Sequence, residues 1–181
     1  MIYVFLADGF EELEALAPVD ILRRGNRDVV TVGVTGKTVT GSHNVPVVCD
    51  MTVDEIKIDG SVQAIILPGG MPGTLNLEKS GILQKIIDEC SKAGRLICAI
   101  CAAPSILGHK GLLNGKEATC YTGFEKDLEG ATVKSQPVVR DGNIITAFGA
   151  GAAFQFGFEI LSAVSDRETA EKTRKAMRFG E

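Results

Sequence analysis

Cys101 sits in "LICAICAAPSILG" (residues 96–108), where an apolar run gives way to a helical pattern. A cysteine at such a strand-to-helix turn has the layout of a nucleophile elbow with a thiol in the place of serine. Ala102 and Ala103 are small enough for a tight turn, and backbone N–H groups at a helix start favour the thiolate. The competing reading is a buried cysteine acting as a small hydrophobe. A second chemical group stands in "ADGFEELE" (residues 7–14). Glu11 and Glu12 fit acids of a first helical turn that face water. Glu14 shares a stripe with Ala17, Pro18 and Ile21, which turns it inward, and a carboxyl buried beside a thiol has a raised pKa and donates a hydrogen bond. The third is "LPGG" (67–70), where Gly69 and Gly70 offer N–H groups suited to an oxyanion hole. A plain turn explains those glycines equally well.

Other chemistry finds less support. Cys98 and Cys101 match C-x-x-C, but Cys98 falls inside the strand, whereas a redox dithiol places its first cysteine at the helix start. His43 and His109 lie away from the expected strand ends and make no metal-ligand spacing, so they read as surface or loop residues. No metal or cofactor is expected. No phosphate-binding loop follows the first strand.

These groups need a scaffold. "IYVFLA" (2–7), "DVVTVGV" (28–34), "VQAIILPGG" (62–70) and "RLICAI" (95–100) are short apolar runs of the kind buried on both faces. Helical patterns alternate with them: 10–25 bent at Pro18, 80–94 with Ser80 as N-cap and Gly94 as stop, a short helix at 103–113, and two closing helices near 151–164 and 166–178. Residues 37–50 read as two extended pieces around a turn. Further extended segments follow near 116–121, 132–140 and 143–148. The alternation predicts an α/β fold, a mostly parallel central sheet with helices on both faces. All three candidate segments fall at the carboxyl ends of strands, where open sheets hold their ligands.

A chain of 181 residues with 45% hydrophobic residues suits a single domain spanning 1–181. The net charge of −4 and scattered Lys and Arg argue against a nucleic-acid partner, and no apolar run is long enough to span a membrane. The start lacks the features of a signal peptide. The expectation is a cytoplasmic protein, with its five cysteines reduced.

Together, "FLADGFEELEALAPVDILRRG", "AIILPGGMPGTLNL", "AICAAPSILG" and "GAGAAFQFGFEIL" resemble the ThiJ/PfpI superfamily, in the branch around Parkinson disease protein 7, over almost the whole chain. The resemblance implies a flavodoxin-like three-layer sandwich of the glutamine amidotransferase-like type, usually a homodimer. It implies Cys101 as the reactive thiol, Glu14 as its hydrogen-bonding carboxyl, and Gly69, Gly70 and Ala102 as the backbone groups around the sulfur. The activities it implies are cofactor-free glyoxalase chemistry (methylglyoxal to lactate), deglycation of early glycation adducts, chaperoning and oxidative-stress sensing. The substrate is then a small aldehyde or glycated molecule. Ala102 stands where protease branches have histidine, which argues against proteolysis. Cys120 is read as occupying the position of a family histidine, and so either as a modulator of Cys101 or as a plain core thiol.

Overall fold

In the computed structural model, which describes residues 1–57 and 59–180, the alternation of strands and helices resolves into the expected three layers. The strands are β1 (Ile2–Leu6), β2 (Val29–Gly33), β3 (Thr38–Thr40), β4 (Pro46–Val48), β5 (Met51–Thr52), β6 (Ala64–Leu67), β7 (Leu96–Ile100), β8 (Glu117–Ala118), β9 (Thr132–Val133), β10 (Val138–Asp141) and β11 (Ile144–Ala147). The helices are α1 (Glu12–Arg24), α2 (Gly73–Lys79), α3 (Gly81–Lys92), α4 (Pro104–His109), α5 (Ala153–Val164) and α6 (Arg167–Ala176). The central sheet runs β10-β11-β7-β6-β1-β2-β5, with every neighbouring pair parallel except β10 with β11.

Strand side chains alternate between the two faces, and here each face has its own core. Ile2, Val4, Leu6, Ile66 and Ile100 pack with α1, α5 and α6. Tyr3, Phe5, Ile65, Leu67 and Ile97 pack with α2, α3 and α4. Burial on both faces explains why β1, β6 and β7 are apolar throughout rather than alternating. β3 and β4 form an antiparallel hairpin outside the sheet, as the two extended pieces of 37–50 predict.

Residues 73–79, to which the sequence pattern assigns no element, form the short helix α2. Two local expectations are corrected. The helix after the elbow is only six residues long, because Gly111 adopts φ 68° just beyond Lys110. The 116–121 segment leaves strand geometry after Ala118. By contrast α3 matches its expectation: it is capped at Ser80, whose Oγ accepts from Leu83 N, and stops with Gly94 at φ 64°, one residue past its C-cap Ala93.

Candidate active site

The loops at the carboxyl ends of β1, β6, β7 and β11 converge on Cys101. This residue has φ 66°, the left-handed region that costs a non-glycine residue on the order of 1–3 kcal/mol and that other contacts must hold. They do so here. The Cys101 N–H donates to the Ala147 carbonyl (2.9 Å), the Tyr121 N–H donates to the Cys101 carbonyl (2.8 Å), and the Ala103 N–H closes the turn onto Ile100 (3.1 Å). The thiol is the one cysteine of the five that is not buried.

The sequence expectation of a helix start at the sulfur needs correction. α4 begins at Pro104 with Ala103 as its cap, so Cys101 lies upstream of a very short helix. What serves the sulfur is two specific amides, the N–H groups of Ala102 and Gly70.

Glu14 is the inward carboxyl that its stripe predicts, 1% exposed. Glu11 acts as the N-cap of α1 and accepts from the Glu14 N–H (2.8 Å), which sets the helix so that the Glu14 side chain points under the elbow. One carboxylate oxygen accepts from Gly69 N–H at 2.9 Å. Ala150 N–H and the Cys101 thiol complete its partners. Burial raises the Glu14 pKa to about 7 in spite of these hydrogen bonds. Burial and the adjacent Glu14 carboxylate push the Cys101 thiol up to about 12, against the pull of the Ala102 and Gly70 amides. The Glu14 contribution has that sign for an ionised carboxylate. With the proton on Glu14, the carboxyl donates to the sulfur and favours thiolate instead, so the two groups share one transferable proton.

Gly69 is the second correction. Its N–H is committed to Glu14; the amides that act on the sulfur are those of Gly70 and Ala102. A Cβ on Gly69 would lie 2.6 Å from Cys101 Cβ and 2.6 Å from Glu14 Oε2. The glycine is therefore what allows thiol and carboxyl to meet.

Cys120 belongs to the core on the α2–α4 face, 7% exposed, while Cys101 packs against the opposite core. Burial raises its thiol pKa to about 11. The neighbour that reaches the elbow is Tyr121, whose ring lies 3.2 Å from where a Gly149 Cβ would be, a point 4.0 Å from Cys101 Sγ. No strand or helix governs residues 119–124, so nothing in the pattern told which of the two would turn inward. Cys98 lies inside β7 and is fully buried.

Glu12 does not face water either. Its carboxylate grips the tip of the β3–β4 hairpin, accepting from His43 N (2.7 Å) and bonding His43 Nδ1 (2.8 Å). Glu11, Glu12 and His43 are the one group among the described residues with three ligand-type atoms within 4.8 Å, contrary to the reading that neither histidine joins such a set. Its atoms are engaged with one another and with α1, whose positive N-terminal end disfavours a cation.

A thiol on a strained elbow, two amides aimed at the sulfur and a buried proton-sharing carboxyl, on a doubly wound sheet, define a class of elbow-cysteine α/β proteins. The chain belongs to the DJ-1/PfpI family, whose model matches residues 1–163. It is 32% identical to protein dj-1beta of Drosophila melanogaster, over 96% of this chain and 94% of that one. It is 30% identical to the glutathione-independent glyoxalase DJR-1.2 of Caenorhabditis elegans, over 93% and 88%. Among solved structures, oxidised DJ-1 of Toxoplasma gondii superposes with a TM-score of 0.94 at 28% identity, covering 99% of this chain and 98% of that one. Among the described residues no helix is long and apolar enough to cross a membrane.

Proposed function

We propose that the protein is a cofactor-free, cysteine-dependent enzyme that converts small α-oxoaldehydes to 2-hydroxy acids, methylglyoxal to lactate being the simplest case. The observation that carries this reading is the Cys101–Glu14 pair held together across Gly69. The Cys101 thiolate adds to the aldehyde carbon while Glu14 delivers its proton to the aldehyde oxygen, giving a hemithioacetal. The Gly70 and Ala102 amides hold negative charge near the sulfur. Glu14, now a carboxylate, removes the proton from the former aldehyde carbon as the ketone oxygen takes up the hydroxyl proton to give an enediol, and it returns its proton to the adjacent carbon, leaving a thioester of the 2-hydroxy acid. Water hydrolyses the thioester, and the thiol is restored with no net oxidation or reduction. The glyoxalase named among the relatives supports this assignment. Glycated small molecules, as masked forms of the same aldehydes, are the extended substrate class, and the cytoplasm, where thiols stay reduced, is the compartment that suits the chemistry.

The test is lactate release from methylglyoxal by the purified protein. Cys101→Ala is expected to abolish it and a chelator to leave it intact; lactate formation surviving in Cys101→Ala, or lost to the chelator, overturns the reading.

A second reading, a redox sensor or chaperone switched by oxidation of Cys101, draws support from the oxidised form solved for the Toxoplasma relative.

The working form is proposed to be a homodimer. Leu13 on α1 and Val45 and Val48 on the hairpin are 55%, 46% and 70% exposed. The Glu12–His43 contact and the Ser42 N–H to Phe10 carbonyl bond (2.7 Å) tie hairpin to helix, making these residues one apolar face that a second copy would cover. Light scattering is expected to give twice the 19.2 kDa chain mass; a monomer at micromolar concentration would refute it.

A further inference from the structure

A cleft of about 630 Å³ opens beside the elbow, lined among others by Thr119, Cys120, Tyr121, Val133, Lys134 and Phe148. That volume falls in the usual range of small-molecule sites, roughly 300–1,000 Å³. Methylglyoxal is comparable to only a few water molecules of about 30 Å³ each, so the cleft far exceeds what it needs. Its apolar walls are left open: Tyr121 is 54% exposed, Val133 42% and Phe148 37%.

Tyr121 links the cleft wall to the thiol. Gly149 follows Phe148, and a Cβ built on it would sit 3.2 Å from the Tyr121 ring and 4.0 Å from Cys101 Sγ, so the Tyr121 ring lies within reach of a group carried on the sulfur. Both aromatic residues are fixed to the frame, Tyr121 N–H on the Cys101 carbonyl (2.8 Å) and Phe148 N–H on the Pro137 carbonyl (3.1 Å). Lys134 pairs with Glu117 at 2.7 Å, and Glu125 accepts from Gly123 N–H at 2.7 Å. The large exposed faces that the cleft offers are those of Tyr121, Val133 and Phe148.

We propose that this cleft is the subsite for the substituent of the α-oxoaldehyde, and that the preferred substrates carry an aryl or branched alkyl group in place of methyl. The inference rests on the aldehyde chemistry of Cys101 proposed above. The reaction is the same internal redox exchange: the hemithioacetal forms at Cys101, the substituent lies against Tyr121 and Phe148, and water releases the corresponding aryl 2-hydroxy acid.

The experiment compares kcat/KM for phenylglyoxal, read as mandelate, with that for methylglyoxal, read as lactate. The wild type is expected to favour phenylglyoxal by about three- to tenfold, the scale of an aromatic contact pair. Tyr121→Ala and Phe148→Ala, each checked for folding by circular dichroism, are expected to bring the ratio toward one, mainly through the KM for phenylglyoxal. Tyr121→Phe should retain the preference. A wild-type ratio at or below one, or a ratio unmoved in both alanine variants, overturns the proposal while Cys101-dependent lactate release leaves the parent reading standing. Absence of both products overturns the two together.

Discussion

Glu14→Gln is expected to lower kcat/KM for methylglyoxal by about 10²–10⁴, the usual contribution of a positioned acid–base group, while leaving the fold and Cys101 in place. The amide keeps an oxygen to accept from Gly69 N–H, as Glu14 does at 2.9 Å, but it cannot give a proton to the aldehyde oxygen or take one from carbon. The same variant has a stability signature. Glu14 is 1% exposed and its pKa is raised by burial from 4.5 to about 7, so the folded state binds its proton more tightly than the unfolded chain does. That contribution is fully present below pH 4.5 and is lost as pH rises through about 7, a change of about 3 kcal/mol. Exposed carboxylates with lowered pKa values, such as Asp50, act in the opposite direction, so the quantity to read is the difference in urea unfolding free energy between wild type and Glu14→Gln. It should shift against the wild type between pH 5 and 8. A flat difference would mean that Glu14 is not buried with a raised pKa.

The parts of this molecule that repeat with a regular period were the legible ones. The unbroken apolar runs of β1, β6 and β7 and the spacing on α1 and α3 told which faces are buried, and Ser80 capped α3 as its type suggests. Glu14 could be picked from three neighbouring acids because only it lies on the apolar stripe. Direction was not legible: β10 runs antiparallel to β11 though its residues look like those of any strand. Tertiary commitments were hidden for the same reason. Gly69 and Gly70 are identical in sequence terms, yet one amide serves Glu14 and the other the Cys101 sulfur. Glu12 and His43 are 31 residues apart and meet only because the β3–β4 hairpin folds over α1. Tyr121 was missed beside Cys120 because a segment without regular structure gives no periodicity from which to read its facing.

Cys101 is expected to be the first cysteine oxidised by mild peroxide, and to stop at sulfinate. Oxidation follows thiolate character and access, and Cys101 alone combines an open position with two amide donors and an acid that can take its proton. Cys90 and Cys98 are fully buried, Cys49 is 2% and Cys120 7% exposed, so access separates them from Cys101; burial raises the thiol pKa at all five positions, and at Cys101 the Ala102 and Gly70 amides pull against it. A protonated Glu14 donates to a sulfinate oxygen, and the Gly70 and Ala102 amides hold its charge, which slows the step to sulfonate. Peptide mass spectrometry after graded peroxide treatment reads this directly. The Cys101–Glu14 account predicts sulfinate at Cys101 before any other thiol gains oxygen, and a shift toward sulfonate in Glu14→Gln. Oxygen appearing first at Cys49 or Cys120, or the same distribution of oxidation states in Glu14→Gln as in wild type, would contradict it.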